Sequence, residues 1–195
     1  VRVGTSGAPL VSASGIVAVS IPITVVGTFL IIAMLGRTLN VIMLAGIAFN
    51  AAGCHLPHGL SYAVSGLTKN WHVPGYPEGA SLVPHGMAVV LNNPSVWRHT
   101  APASPERHLH CAHCLGADVR GAGPEFAGEA LATRVIALMR ATGMPNGLNA
   151  LGFDESHVDA LATGAEPQYR VIRNAPVDIG RDELKRLFRS ALRYW

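Results

Sequence analysis

Residues 48–67 read AFNAAGCHLPHGLSYAVSGL, and residues 82–91 read LVPHGMAVVL. These two stretches decide how the rest of the chain is read. They carry His55, His58 and His85 beside two His-Gly steps. Neutral imidazole is the commonest protein ligand for first-row metals, and two rings from separate segments make half of a metal site. His55 and His58 are about one helical turn apart and share a face if the segment is helical. His85 is 27 residues beyond His58 and needs the fold to bring it back. On spacing alone a second reading stands beside the first. In it, His55 and His58 only bond neighbouring carbonyls and His85 caps a turn.

Downstream, residues 124–142 show an amphipathic pattern, with Ala127, Leu131, Val135, Leu138 and Met139 on one side and Gly143 as a stop. The last segment places Leu184, Leu187, Phe188, Ala191, Leu192 and Trp195 at helical spacing, with Arg181, Lys185, Arg186, Arg189 and Arg193 toward solvent. Asp154, Glu155 and Asp159 stand where acids favour a helix start. Gly147–Gly152 and Glu166-Pro167 read as connections. No strand pattern is firm after Ala48, so the tail reads as an all-α bundle.

Upstream the character changes. Gly15 to Leu35, GIVAVSIPITVVGTFLIIAML, carries no charge and is long enough to cross a bilayer of about 30 Å as a helix. Pro22 would kink it, with Ser20 and Thr24 placed to satisfy the freed carbonyl. The run starts too late and is too long for a signal peptide. Val41–Cys54 is shorter and fits a core helix. The expected plan is therefore an apolar, transmembrane-like segment over 1–47 and a helical domain over 48–195.

The 195 residues include 49% hydrophobic and only 14% charged side chains, which excludes a disordered or acidic-tail protein. All 12 acidic residues follow Lys69, and the first 68 residues hold only Arg2 and Arg37. The net charge of +3 gathers into no basic run, so no nucleic-acid partner is expected. Cys54, Cys111 and Cys114 are too few for a disulfide framework, so a reducing compartment is expected. The string His108-Leu-His110-Cys111-Ala-His113-Cys114 looks metal-like in composition. It lacks the second ligand pair of a zinc finger or ribbon, and it lies within an expected helix that starts at Pro105.

Two resemblances sharpen this reading. Residues 20–49, SIPITVVGTFLIIAMLGRTLNVIMLAGIAF, resemble a transmembrane stretch of resistance-nodulation-division efflux permeases. The acidic residues that relay protons in that family have no counterpart here, because the first acid in the chain is Glu78. The two histidine stretches, followed by PERHL and LGAD, resemble the C-terminal helical domain of the iron-containing alcohol dehydrogenases, and within them the hydroxyacid-oxoacid transhydrogenases. That resemblance implies a dehydroquinate-synthase-like helical bundle for residues 48–195. It also implies that His58 and His85 are two of four metal ligands, with Fe²⁺ or another divalent ion such as Zn²⁺. Tyr62 falls where many family members carry a further active-site His, and His55 would stand behind the ligands.

By the same resemblance the whole enzyme is an NAD-linked oxidoreductase acting on a short hydroxyacid such as 4-hydroxybutyrate, with an oxoacid as acceptor. The family's Asp ligand, its other His ligand and its dinucleotide-binding domain have no counterpart in this sequence, so the isolated chain is expected to be inactive. The expected location is cytoplasmic for the enzyme-like part, with membrane association through residues 15–35. A homo-oligomer is the expected assembly. The other reading is a fragment of an efflux-type membrane protein with a helical tail.

Overall fold

The computed structural model describes residues 53–73 and 83–195. The chain divides into two units, Val1–Gly53 and Cys54–Trp195, and only the second is described beyond Gly53. The apolar segments expected over residues 15–35 and 41–54 lie outside the described residues up to position 52. Among the described residues no helix is long and apolar enough to cross a membrane.

The second unit is built from α1 (Leu56–Leu67), α2 (His85–Thr100), α3 (Pro105–Cys114), α4 (Ala127–Ala141), α5 (Val158–Ala165), α6 (Tyr169–Ile172) and α7 (Arg181–Ala191), joined by short 3-10 turns. All regular structure among the described residues is helical, as the sequence pattern leads one to expect. Helix α1 starts with Pro57 in its first turn, where a missing N–H costs nothing. It buries Leu56, Leu60, Ala63 and Val64, a spacing that lines one helical face. That face packs on α2 and α5, with α6 against its N-terminal end.

Helix α2 runs through Pro94, whose ring nitrogen cannot donate to the carbonyl four residues back. Side chains around the proline bond back to the helix. Asn92 Nδ2 donates to the Ala88 carbonyl at 2.8 Å, and the Ser95 hydroxyl donates to the Asn92 carbonyl at 2.9 Å. Helix α2 lies against α1, α4 and α7, which makes it the centre of the bundle.

The sequence places α4 and α7 well, with one difference at the end of α7. Leu192, Arg193, Tyr194 and Trp195 leave the helix instead of continuing it. The loop before Leu148 captures them. Asn146 Oδ1 accepts from the backbone N–H of Tyr194 at 2.9 Å and of Trp195 at 3.1 Å, and Asn149 N–H donates to the Leu192 carbonyl at 2.9 Å. The Tyr194 hydroxyl then reaches α2 and donates to the Leu91 carbonyl at 2.7 Å. Burial of that hydroxyl pushes its pKa well above the ordinary phenol value. Asp154 does what an acid before a helix should: its Oδ1 accepts from the Ser156 backbone N–H at 2.9 Å.

Candidate metal centre

His58 occupies the first turn of α1, and His85 is the first residue of α2. Because α1 and α2 pack together, two histidines far apart in sequence meet at one end of the bundle. Their ring centroids lie 5.1 Å apart at an interplanar angle of 62°. The Tyr62 ring, one turn along α1 from His58, lies 5.8 Å from the His85 ring. His58 is half-buried, while His85 and Tyr62 are exposed, so the pair opens to solvent on the Tyr62 side.

The separation can be tested against a shared metal. An ion about 2.1 Å from one nitrogen of each ring, at a near-tetrahedral angle, sets the two centroids about 5 Å apart. The observed spacing fits, so these two imidazoles suit a common divalent ion. They are insufficient by themselves: among the described residues no three His, Cys, Asp or Glu side chains gather at a point where they could hold a metal. A dinucleotide is a different matter, because the described residues form helices and turns with no strand-glycine-helix loop to receive a pyrophosphate.

Electrostatics favour the neutral forms of His58 and His55. Burial, followed by the neighbouring His85, holds the His58 pKa below the usual imidazole value. Burial, then His58 and His108, does the same for His55. Neutral imidazole is the ligating form, so both effects keep His58 ready to bind below the usual titration range. Folding favours the unprotonated rings, so their contribution is intact above about pH 6.5 and is lost as pH falls from there toward the lowered pKa values. His55 precedes α1, with its Nδ1 buried and no hydrogen-bond partner among the described residues.

The support behind His58 escapes sequence reasoning. A Cβ on Gly59 would stand 2.5 Å from Ile172 Cγ1, so the glycine of the first His-Gly step is where α6 closes onto α1. Asn174 Nδ2 also donates to the Cys54 carbonyl at 2.9 Å, tying the segment before α1 to the residues after α6. Gly59→Ala is expected to wedge α1 from α6 and cost about 1–3 kcal/mol as overpacking. Thermal melts of Gly59→Ala alone and with Ile172→Ala check this. The double variant should recover part of the loss, and equal melts for wild type and Gly59→Ala would refute the wedge.

The His/Cys string on α3 resolves into separate parts. His108 is buried, its Nδ1 donating to the Ser104 carbonyl at 2.8 Å and its Nε2 lying 3.0 Å from the Thr100 hydroxyl. His110, Cys111, His113 and Cys114 are exposed.

Comparison with known proteins decides the family. The description "Fe-containing alcohol dehydrogenase family, C-terminal" matches residues 35–192. The chain belongs to the Fe-containing alcohol dehydrogenase family. The "Probable hydroxyacid-oxoacid transhydrogenase, mitochondrial" of Dictyostelium discoideum is 40% identical over 149 residues, covering 76% of this chain and 27% of that protein. The "Hydroxyacid-oxoacid transhydrogenase, mitochondrial" of Homo sapiens is 40% identical over 151 residues, covering 77% of this chain and 32% of that protein. The chain thus spans about a third or less of these relatives' length. A solved 1,3-propanediol oxidoreductase superposes with a TM-score of 0.63 at 26% identity, covering 76% of this chain and 35% of that one.

The family match starts at residue 35 and therefore takes in Leu35–Phe49, part of the stretch that resembles an efflux permease. No comparison supports the permease resemblance. The bundle topology and the family are as the two histidine stretches imply.

Proposed function

We propose that residues 48–195 form the metal-binding helical domain of an iron-dependent dehydrogenase of the hydroxyacid-oxoacid transhydrogenase type, with His58 and His85 as two of the metal's ligands. The observation that carries this reading is the 5.1 Å approach of the two rings, at the two His-Gly steps, within a domain of this family. A bound divalent ion would polarise the substrate oxygen from which, or to which, hydride moves. Helix α1 holds His58 half-buried against the bundle, and α2 presents His85 at its N-terminal end. Tyr62, exposed beside His85, would offer a hydroxyl to a substrate carboxylate.

The relatives' names support a hydroxyacid donor and an oxoacid acceptor. A short hydroxyacid such as 4-hydroxybutyrate fits that class. NAD linkage is part of this reading through the family resemblance, and it would rest on residues other than the described helices and turns. Residues 15–35 are read as an apolar segment capable of membrane insertion, and self-association as the route to further ligands. The relatives' names say mitochondrial, whereas the sequence alone led to a cytoplasmic reading.

Metal analysis tests the proposal. The chain is purified anaerobically in detergent with Fe²⁺ and compared with His58→Ala and His85→Ala. With further ligands supplied by a second copy of the chain, iron should be retained by the wild type and lost from both variants, with the same circular dichroism in all three. Absence of iron from the wild type, or equal iron in all three, would mean that the site has ancestry without function.

A further inference from the structure

We propose that His110 and Cys114 form a second metal site, a two-ligand chelate on the exposed face of α3 for a thiophilic divalent cation of the Zn²⁺ class. The two residues are spaced i, i+4 and so lie one above the other on the helix surface. His110 Nε2 and Cys114 Sγ stand 3.6 Å apart. A tetrahedral ion about 2.3 Å from sulfur and about 2.1 Å from nitrogen requires its S and N ligands to be about 3.6 Å apart. The pair thus has the separation that such an ion requires, and the ion would take the place of the hydrogen bond between the two side chains.

Neighbouring groups fix the composition of the site. His108 points inward and is engaged with Ser104 and Thr100, so it is withdrawn from this face. No three metal-ligating side chains converge among the described residues, which leaves the remaining positions of the ion to water. Both ligands are exposed, so water has access. A thiolate paired with an imidazole selects borderline and soft ions over Mg²⁺ or Ca²⁺. On binding, the Cys114 S–H bond breaks, sulfur donates its pair to the ion, and the proton leaves to solvent. The site depends on neither the iron pair nor the transhydrogenase reading, since it lies on α3 and contains sulfur.

Co²⁺ is the probe, because thiolate ligation produces a near-ultraviolet sulfur-to-cobalt charge-transfer band that His58 and His85 cannot produce. The reduced full chain, in a buffer with a non-thiol reductant, should develop this band saturably and lose it when Zn²⁺ is added. Cys114→Ala should abolish the band, and His110→Ala should shift its appearance to much higher Co²⁺. Cys111→Ala, Cys54→Ala and the double variant His58→Ala/His85→Ala should leave it unchanged. Each substituted side chain of the pair is exposed, so helix content should be unaffected, which circular dichroism verifies. No charge-transfer band in the wild type overturns the proposal, as does a band that survives Cys114→Ala or disappears in Cys111→Ala or Cys54→Ala.

Discussion

Phe188→Ala should remove about 3–5 kcal/mol of stability, a large part of the roughly 5–15 kcal/mol that holds an ordinary domain together. Phe188 is fully buried in α7, between Leu184, Leu187 and Ala191 on the same face. That face packs on both α2 and α5, so the ring lies within the bundle's core. Deleting it forfeits the transfer of an aromatic side chain from water and leaves a cavity that the bundle only partly closes.

The opposite face of α7 is less important. Its ion pairs, Arg189 with Glu155 at 2.5 Å, Arg181 with Glu166 at 2.6 Å and Lys185 with Asp159, are substantially exposed. Exposed pairs contribute about 0–1 kcal/mol each. Urea unfolding followed by circular dichroism distinguishes the two faces. Phe188→Ala should move the midpoint far more than Arg189→Ala, and equal shifts would show that burial does not dominate here.

Gly147→Ala should cost at least about 3 kcal/mol, from two sources that act together. Gly147 has φ 67° and ψ −167°, a region of backbone space that is essentially reserved for glycine. A Cβ there would also lie 2.5 Å from the Leu192 carbonyl oxygen and 2.6 Å from that of Ala191. These are backbone atoms, so relief requires the chain after α7 to back away from the loop. Its retreat would break the bonds that Asn146 and Asn149 make to residues 192–195.

Gly152 is the control. Its φ is 92°, but a Cβ there would meet nothing within 4 Å. Gly152→Ala should therefore cost only the left-handed backbone penalty of about 1–2 kcal/mol. If the two alanine variants unfold at the same urea concentration, the contact with α7's end adds nothing and the loop is no tight clasp.

Much of the domain was legible because its signals are local. The period of Leu131 and Met139 in α4, and of Leu184, Leu187, Phe188 and Ala191 in α7, reports which face is buried, since side chains three and four apart share a face. Asp154 and Pro105 mark helix starts through chemistry within one turn. The two His-Gly steps pointed to the family for the same reason, as short strings that can be read without knowing the fold. Where the sequence pattern misled, it did so at a long-range contact. Leu192–Trp195 kept helical spacing, yet capture by the Asn146 loop outweighs the few residues of extra helix.

The sequence by itself determined the helical class, the positions of α3, α4 and α7, the family and the two histidines worth following. Tertiary structure alone decided whether those histidines meet, through the packing of α1 on α2, and which of the metal-like residues on α3 face outward as a pair. It also decided that Gly59 and Gly147 are points of close approach, to Ile172 and to Leu192. The physical reason is common to all of these. Helical periodicity records which face a residue occupies, but contacts between distant segments depend on how whole faces are fitted together, and no local pattern carries that.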